Sequence, residues 1–337
     1  MKKQLVFILA LVLSVLLIST LMNASAEEKK VQWKISTFIP ESDADWYVTL
    51  ERVKALIEEG SGGRIEVKIF PVGVLVDPDS LVDAVVSGAI QGAQILPGMA
   101  ANRVPSALAT EMPYGAKDAY EHHEVHVLWD LLDIMREEYA ANNLQLLYFG
   151  TSGQVTFHSS FPVRKVTDLN GKKIWAIPNA SWLGKFGASV VEVPGMDMYS
   201  AMKLGTIDGF TWTVGELEFG NFKEVVKYVM RPRLLTPGTH IILNKRAWDK
   251  LDANVQMQIQ DHLLAHRFEV SKEYLTYDEK SLSASEAYGV KFIELPPEEV
   301  EKFKAAAEEF WNEVEGMSPA AGKMIKRYRE FLKYKGR

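Results

Sequence analysis

Between Val31 and Leu96 the hydrophobic pattern switches repeatedly between a period of two and a period near 3.6, and this alternation leaves few architectures open. Val31 to Thr37 reads as a strand. Asp45 to Glu59 follows as a helix with Trp46, Leu50, Val53 and Ile57 at helical spacing, ended by Gly60-Ser61-Gly62-Gly63. Arg64 to Phe70 alternates into a second strand closed by Pro71. Asp77-Pro78-Asp79 then opens a helix through Ser87, with an acidic cap and a proline in its first turn, and Gly92 to Leu96 is a third strand. Strand, helix, strand, helix, strand implies parallel pairing in an α/β fold.

Further along, Asp118 to Asn142 reads as helical, and Leu144 to Phe149 as a strand leading into Gly150-Thr151-Ser152-Gly153-Gln154. That passage is the expected first crossing between two domains. Arg246 onward returns to helix, and Asp252 to Ala287 supports an unusually long one without an internal proline or glycine. The last segment, Pro297 to Lys335, is helical and rich in Lys and Glu. A chain of 337 residues exceeds one ordinary core and fits two domains of about 100 to 200 residues each.

At the N-terminus, Lys2 and Lys3 precede an apolar run from Leu5 to Met22, and Ala24-Ser25-Ala26 offers small residues before Glu27. This is the layout of a secretory signal with its cleavage site, so residues 1–26 are expected to be removed. An uncleaved membrane anchor is the competing reading; a span needs about 20 apolar residues, and Ser14, Ser19 and Thr20 interrupt this run. Cleavage would move the formal net charge from −6 to −8, since two lysines and no acidic residue leave. Such an acidic balance disfavours nucleic acid, whose phosphates require a basic surface. With no cysteine, disulfides, thiolate chemistry and lipid attachment at an N-terminal cysteine are all excluded.

The richest stretch begins Asp168-Leu-Asn-Gly171-Lys-Lys-Ile-Trp175-Ala-Ile-Pro178 and ends Met202-Lys-Leu-Gly205-Thr-Ile-Asp208-Gly209-Phe-Thr211-Trp212. Asn170-Gly171 is a turn signal, Lys172 to Ile177 alternates into a short strand, and Pro178 stops it. Trp175 therefore lies near the carboxyl end of a strand, the place where open α/β sheets bind ligands. This segment resembles the solute-binding proteins of tripartite ATP-independent periplasmic (TRAP) transporters, of the C4-dicarboxylate-binding type. Their comparable run reads roughly Asp-Leu-Lys-Gly-x-Lys-Ile-Arg-x-Pro and then x-Gly-x-Ile-Asp-Gly. The wording Gly62-Gly63-Arg64-Ile-Glu-Val-Lys-Ile-Phe-Pro71 and Val85-Val-Ser-Gly88-Ala-Ile is similar to the same family, so the likeness spans most of the chain.

The resemblance implies a two-lobed periplasmic binding protein fold with a hinge and a long helix bridging both lobes. Residues 31–150 with about 245–285 form one expected lobe, and 151–244 with about 286–337 the other. Where the family carries an arginine that pairs with a substrate carboxylate, this chain has Trp175. An indole stacks on a flat ligand or attracts a cation but cannot replace a bidentate guanidinium contact. The implied ligand is then an aromatic, amine-bearing or neutral solute, or a carboxylate held by another donor such as Arg103, Arg164 or Arg233; the competing reading of these three is surface ion pairs. In relatives that bind 2-oxo acids, a glutamine matching Gln154 contacts the ligand or a cation. The glutamate preceding their tryptophan is Thr211 here, which removes a charged cation ligand beside Trp212.

The expected pocket is Phe38, Trp46, Met99, Gln154, Trp175, Asn179, Thr211 and Trp212, with core packing as the alternative role for each aromatic. His122 and His126, four apart, have the spacing of a metal pair, against the plainer reading of an exposed histidine-rich face. His123-Glu124-Val125-His126 has the wrong spacing for a zinc-protease helix, Gly60 to Gly63 lacks the Lys-Ser/Thr of a phosphate loop, and no nucleophile motif occurs. The expected protein is a monomeric, periplasmic solute carrier with no metal, cofactor or catalytic residue, whose partners are a small organic solute and a membrane permease. A secreted sensor that docks to a receptor, and less so a secreted enzyme, are the alternatives.

Overall fold

The computed structural model describes residues 30–337 apart from Ser42, Ala44, Asp45 and Ser152; the expected signal segment lies outside the described residues. Two sheets organise the chain. In the first, strands β1 (Val31–Ser36), β2 (Ile65–Phe70) and β3 (Gly92–Ile95) run parallel, as the alternation predicts. Strand β4 (Leu144–Thr151) closes the other edge. The second sheet holds β5 (Val155–Ser159), β6 (Lys173–Trp175), β7 (Ser189–Val190), β8 (Gly209–Thr213), β9 (Tyr228–Arg231) and β11 (Lys291–Glu294), in the order β11-β9-β5-β8-β6-β7.

The expected lobe boundary at residue 244 is wrong. Strand β10 (Gly238–Asn244) leaves the second lobe and inserts antiparallel between β3 and β4 of the first sheet. All seven of its residues are buried, so the first lobe cannot close its core without them. The C-terminal helices also divide differently from expectation. Pro319–Tyr334 packs on Leu131–Ala141 and on the 3-10 segment Pro105–Thr110, both in the first lobe, while Pro297–Met317 contacts both that segment and Pro178–Phe186 of the second.

Local chemistry explains the helix boundaries. Asp118 caps Ala119–Leu128 by accepting the Glu121 N–H at 2.8 Å, and Ser318 caps the last helix by accepting the Ala321 N–H at 3.1 Å. The expected single helix over 118–142 breaks at Trp129 and Asp130, where Asp130 takes φ 63° and a new helix, Leu131–Ala141, begins.

The long helix runs Ala253–Tyr288, 36 residues and about 54 Å at 1.5 Å per residue. Its buried stripe changes character along its length: Val255, Ile259, Leu263, Val270 and Tyr274 join the core under the first sheet, whereas Asp278, Ser281 and Ser285 occupy the same face further on. Ser281 Oγ donates to the Val214 carbonyl at 2.6 Å and accepts the Glu218 N–H at 3.2 Å, which fixes this end of the helix to the second lobe.

His122 and His126 are not on an exposed face. Both are buried against Phe149, with ring centroids 5.0 and 4.7 Å from it, and His240 joins them at 5.5 Å. Burial pushes His126 and His240 down to about 3 and His122 well below its usual value, so all three are neutral at pH 7. Among the described residues no three His, Cys, Asp or Glu side chains stand together as a metal site. The Arg267 guanidinium, 5% exposed, lies 5.7 Å from the same phenyl ring.

Candidate functional site

The two lobes are joined where the chain crosses between sheets, and the crossings are tied to one another. Val155 N–H donates to the Leu235 carbonyl at 3.0 Å, Leu234 N–H returns to Val155 at 2.8 Å, and Tyr114 N–H binds the Leu234 carbonyl at 2.8 Å. Beside this junction lies a narrow cleft of about 40 Å³, well below the usual size of a small-molecule site. Phe38, Ile39 and Leu96 line it from the carboxyl ends of the first sheet, and Ile177, Trp212, Thr213 and Glu216 from the second. Tyr274, Tyr277 and Asp278 of the long helix form a third wall, with Asp43 and Pro237 at the edge.

Backbone geometry brings these groups together. Thr211 Oγ1 accepts the Ile177 N–H at 3.0 Å, which fixes the turn after β6 and sets Ile177 into the wall. Trp175 packs against Trp212 with ring centroids 5.3 Å apart and planes at 55°. Tyr274 Oη lies 2.9 Å from Thr49 Oγ1, and the Tyr277 ring meets Phe219 at 4.9 Å.

Asp278 is the unusual member. Its side chain is 2% exposed, and neither carboxyl oxygen has a hydrogen-bond partner. Gly153, at φ +95°, passes so close that a Cβ there would sit 2.9 Å from Oδ1, which explains why the loop after β4 carries glycine at that point. Burial pushes the Asp278 carboxyl up to about 8; the Gln154 and Gly215 backbone amides pull it back in part, although neither closes a well-formed hydrogen bond to it.

Of the expected pocket residues, Phe38 and Trp212 line the cleft and Trp175 stands behind Trp212. Gln154 approaches through its backbone amide rather than through a side-chain contact. Asn179 is half engaged outside the cleft lining: its Nδ2 donates to the Leu108 and Glu111 carbonyls at 3.0 and 3.2 Å, bridging the lobes, while its buried Oδ1 has no partner. Thr211 serves the turn, Met99 packs on the main core, and Trp46 opens the helical turn Trp46–Leu50. None of the three candidate arginines lines the cleft. Arg103 pairs with Asp83 at 2.7 Å, Arg164 is exposed, and Arg233 donates to the Ala116 carbonyl at 3.1 Å. Sequence reasoning passed over Tyr274, Tyr277 and Asp278. The signal was present: extending the buried stripe by steps of three and four from Val255 reaches Asp278, a charged residue on a buried face.

Comparison with known proteins identifies the family and the fold. Residues 35–316 match the family model for bacterial extracellular solute-binding protein, family 7 (DctP). The monocarboxylate 2-oxoacid-binding periplasmic protein of Nostoc sp. is 22% identical over 310 residues, 90% of this chain and 84% of the relative. The ectoine-binding periplasmic protein of Halomonas elongata is 24% identical over 274 residues, covering 77% and 78%. A TRAP periplasmic solute-binding protein from Chromohalobacter salexigens, solved with bound (S)-(+)-2-amino-1-propanol, superposes with a TM-score of 0.80 at 20% identity, covering 90% of this chain and 96% of that one. The chain therefore belongs to family 7 of the bacterial extracellular solute-binding proteins, the periplasmic receptors of TRAP transporters.

Proposed function

We propose that this receptor captures one small organic solute in the cleft between its lobes and hands the closed form to the membrane permease of a TRAP transporter. The observation that carries the reading is the origin of the walls: the first sheet, the second sheet and the long helix each supply side chains. A solute touching all three stabilises the closed arrangement only when the cleft is filled, which is how differential binding drives domain closure. The fold likeness to the aminopropanol-bound protein and the kinship to the ectoine-binding protein favour a small polar solute. The protein acts as a monomer, without catalysis and without nucleic acid, after export and cleavage before Glu27.

Scattering with and without solute tests the reading. A smaller radius of gyration at saturation is expected, and an unchanged profile would argue for a rigid, non-transport role. Edman sequencing of a periplasmic extract should begin at Glu27; recovery only in membranes with Met1 intact would refute the export step.

A further inference from the structure

We infer that the solute is an organic ammonium cation, with Asp278 as its counter-charge and Phe38, Trp212, Tyr274 and Tyr277 as the aromatic faces around it. The inference rests on the solute-capture reading and narrows it to one ligand class. Among the described residues lining the cleft none is Lys, Arg or His, while three, Asp43, Glu216 and Asp278, are acidic. A carboxylate solute would enter a site whose described lining offers it no cationic side chain and is acidic in composition. A cation meets the opposite: aromatic rings that attract positive charge, and a buried carboxyl at the cleft wall that closes no well-formed hydrogen bond.

An inorganic ion fits less well, because these carboxyl groups do not converge into a metal-binding cluster among the described residues. A larger, softer ammonium needs no such convergence and uses the aromatic walls that a metal would leave idle. The remaining wall residues, Ile39, Leu96, Val155 and Ile177, suit the carbon skeleton of such a molecule.

The free Asp278 carboxyl holds its proton up to about 8, so at pH 7 the cation displaces that proton on entering. Glu216 and Asp43 belong to the same cleft lining, Tyr274 and Tyr277 flank Asp278 on its own helix, and Lys280 Nζ lies over the Tyr277 ring at 5.9 Å. Binding should release about one proton per solute at pH 7, and affinity should rise with pH toward a plateau above about 8.

The decisive experiment has two arms. Solute carried through native purification is released by denaturation and identified by mass spectrometry. Calorimetry then compares choline, tetramethylammonium and aminopropanol with uncharged carbon isosteres such as dimethylbutanol, and with succinate and pyruvate in the presence and absence of calcium. We expect a positively charged native solute, ammonium probes at least about 30-fold tighter than their isosteres, and loss of that preference in Asp278→Asn. Proton release, read from buffers of different ionisation enthalpy, should vanish in the same variant while its melting transition persists. A neutral or anionic native solute, or carboxylates that bind tighter than ammonium probes with or without calcium, would overturn the inference and leave solute capture standing. No native solute together with no binding by any probe would remove the solute-capture reading itself.

Discussion

The two halves of the long helix face their neighbours with different chemistry. From Val255 to Tyr274 the buried stripe is mainly apolar and merges with the core under the first sheet; from Asp278 to Ser285 it is polar and is tied to the second lobe by the hydrogen bonds of Ser281. Apolar packing is dense and costly to disturb, whereas a polar seam exchanges its partners with water at little net cost. The helix is therefore an extension of the first lobe on which the second lobe rests, and closure is expected to shear the polar seam while the apolar half stays fixed.

This contrast is open to direct attack. Ile259→Ala or Leu263→Ala should cost ~2–5 kcal/mol of stability, read by chemical denaturation, because each leaves a cavity in a tightly packed cluster. A loss below about 1 kcal/mol would mean that the apolar half is not the anchor. Trp175→Ala, behind the cleft wall, should instead cost ~1–3 kcal/mol of solute affinity by calorimetry, through lost aromatic contact with Trp212. Trp175→Arg should shift preference toward carboxylates such as succinate. Tight succinate binding by the unmodified protein, indifferent to Trp175→Ala, would remove this side chain from the site.

A third substitution uses pH. The folded Asp278 carboxyl keeps its proton up to about 8, while in the unfolded chain it ionises near 3.8. Between those values the folded state binds more protons, so this group lowers stability as pH rises through that window. Asp278→Asn should remove the loss, raising stability at pH 8 by up to about 5 kcal/mol and leaving it nearly unchanged at pH 4. Some slope will remain, because burial also pushes Glu111 up to about 8 against the opposing Gly238 amide. Ser281→Ala, the mildest change, should cost ~1 kcal/mol and favour the open form in scattering; equal effects on open and closed forms would contradict the shearing seam.

The same contrast marks what the sequence could disclose. Parallel strands β1 to β3 were readable because a local period reports each element and the connections between them are short. Strand β10 was not assignable, since its antiparallel partners lie about a hundred or more residues earlier and nothing local states which sheet it joins. For the cleft, Phe38 and Trp212 announced themselves as aromatics at strand ends. Asn179 and Thr211 have the right polarity and the right segment, yet backbone groups claim their side chains, and such claims form only on folding. Asp278 was hidden for another reason. A charged residue beside Glu279 and Lys280 reads as solvated until its place on the buried stripe is counted.

Trp175 and Trp212 have one more consequence. Two indoles 5.3 Å apart and inclined at 55° are close enough for their excited states to couple, which gives paired bands of opposite sign in circular dichroism. Because one of the pair lines the cleft and the other braces it, the arrival of a solute or a shift of β6 against β8 alters that coupling. The protein thus carries its own optical gauge of occupancy, usable without a dye and lost when either indole is replaced by phenylalanine.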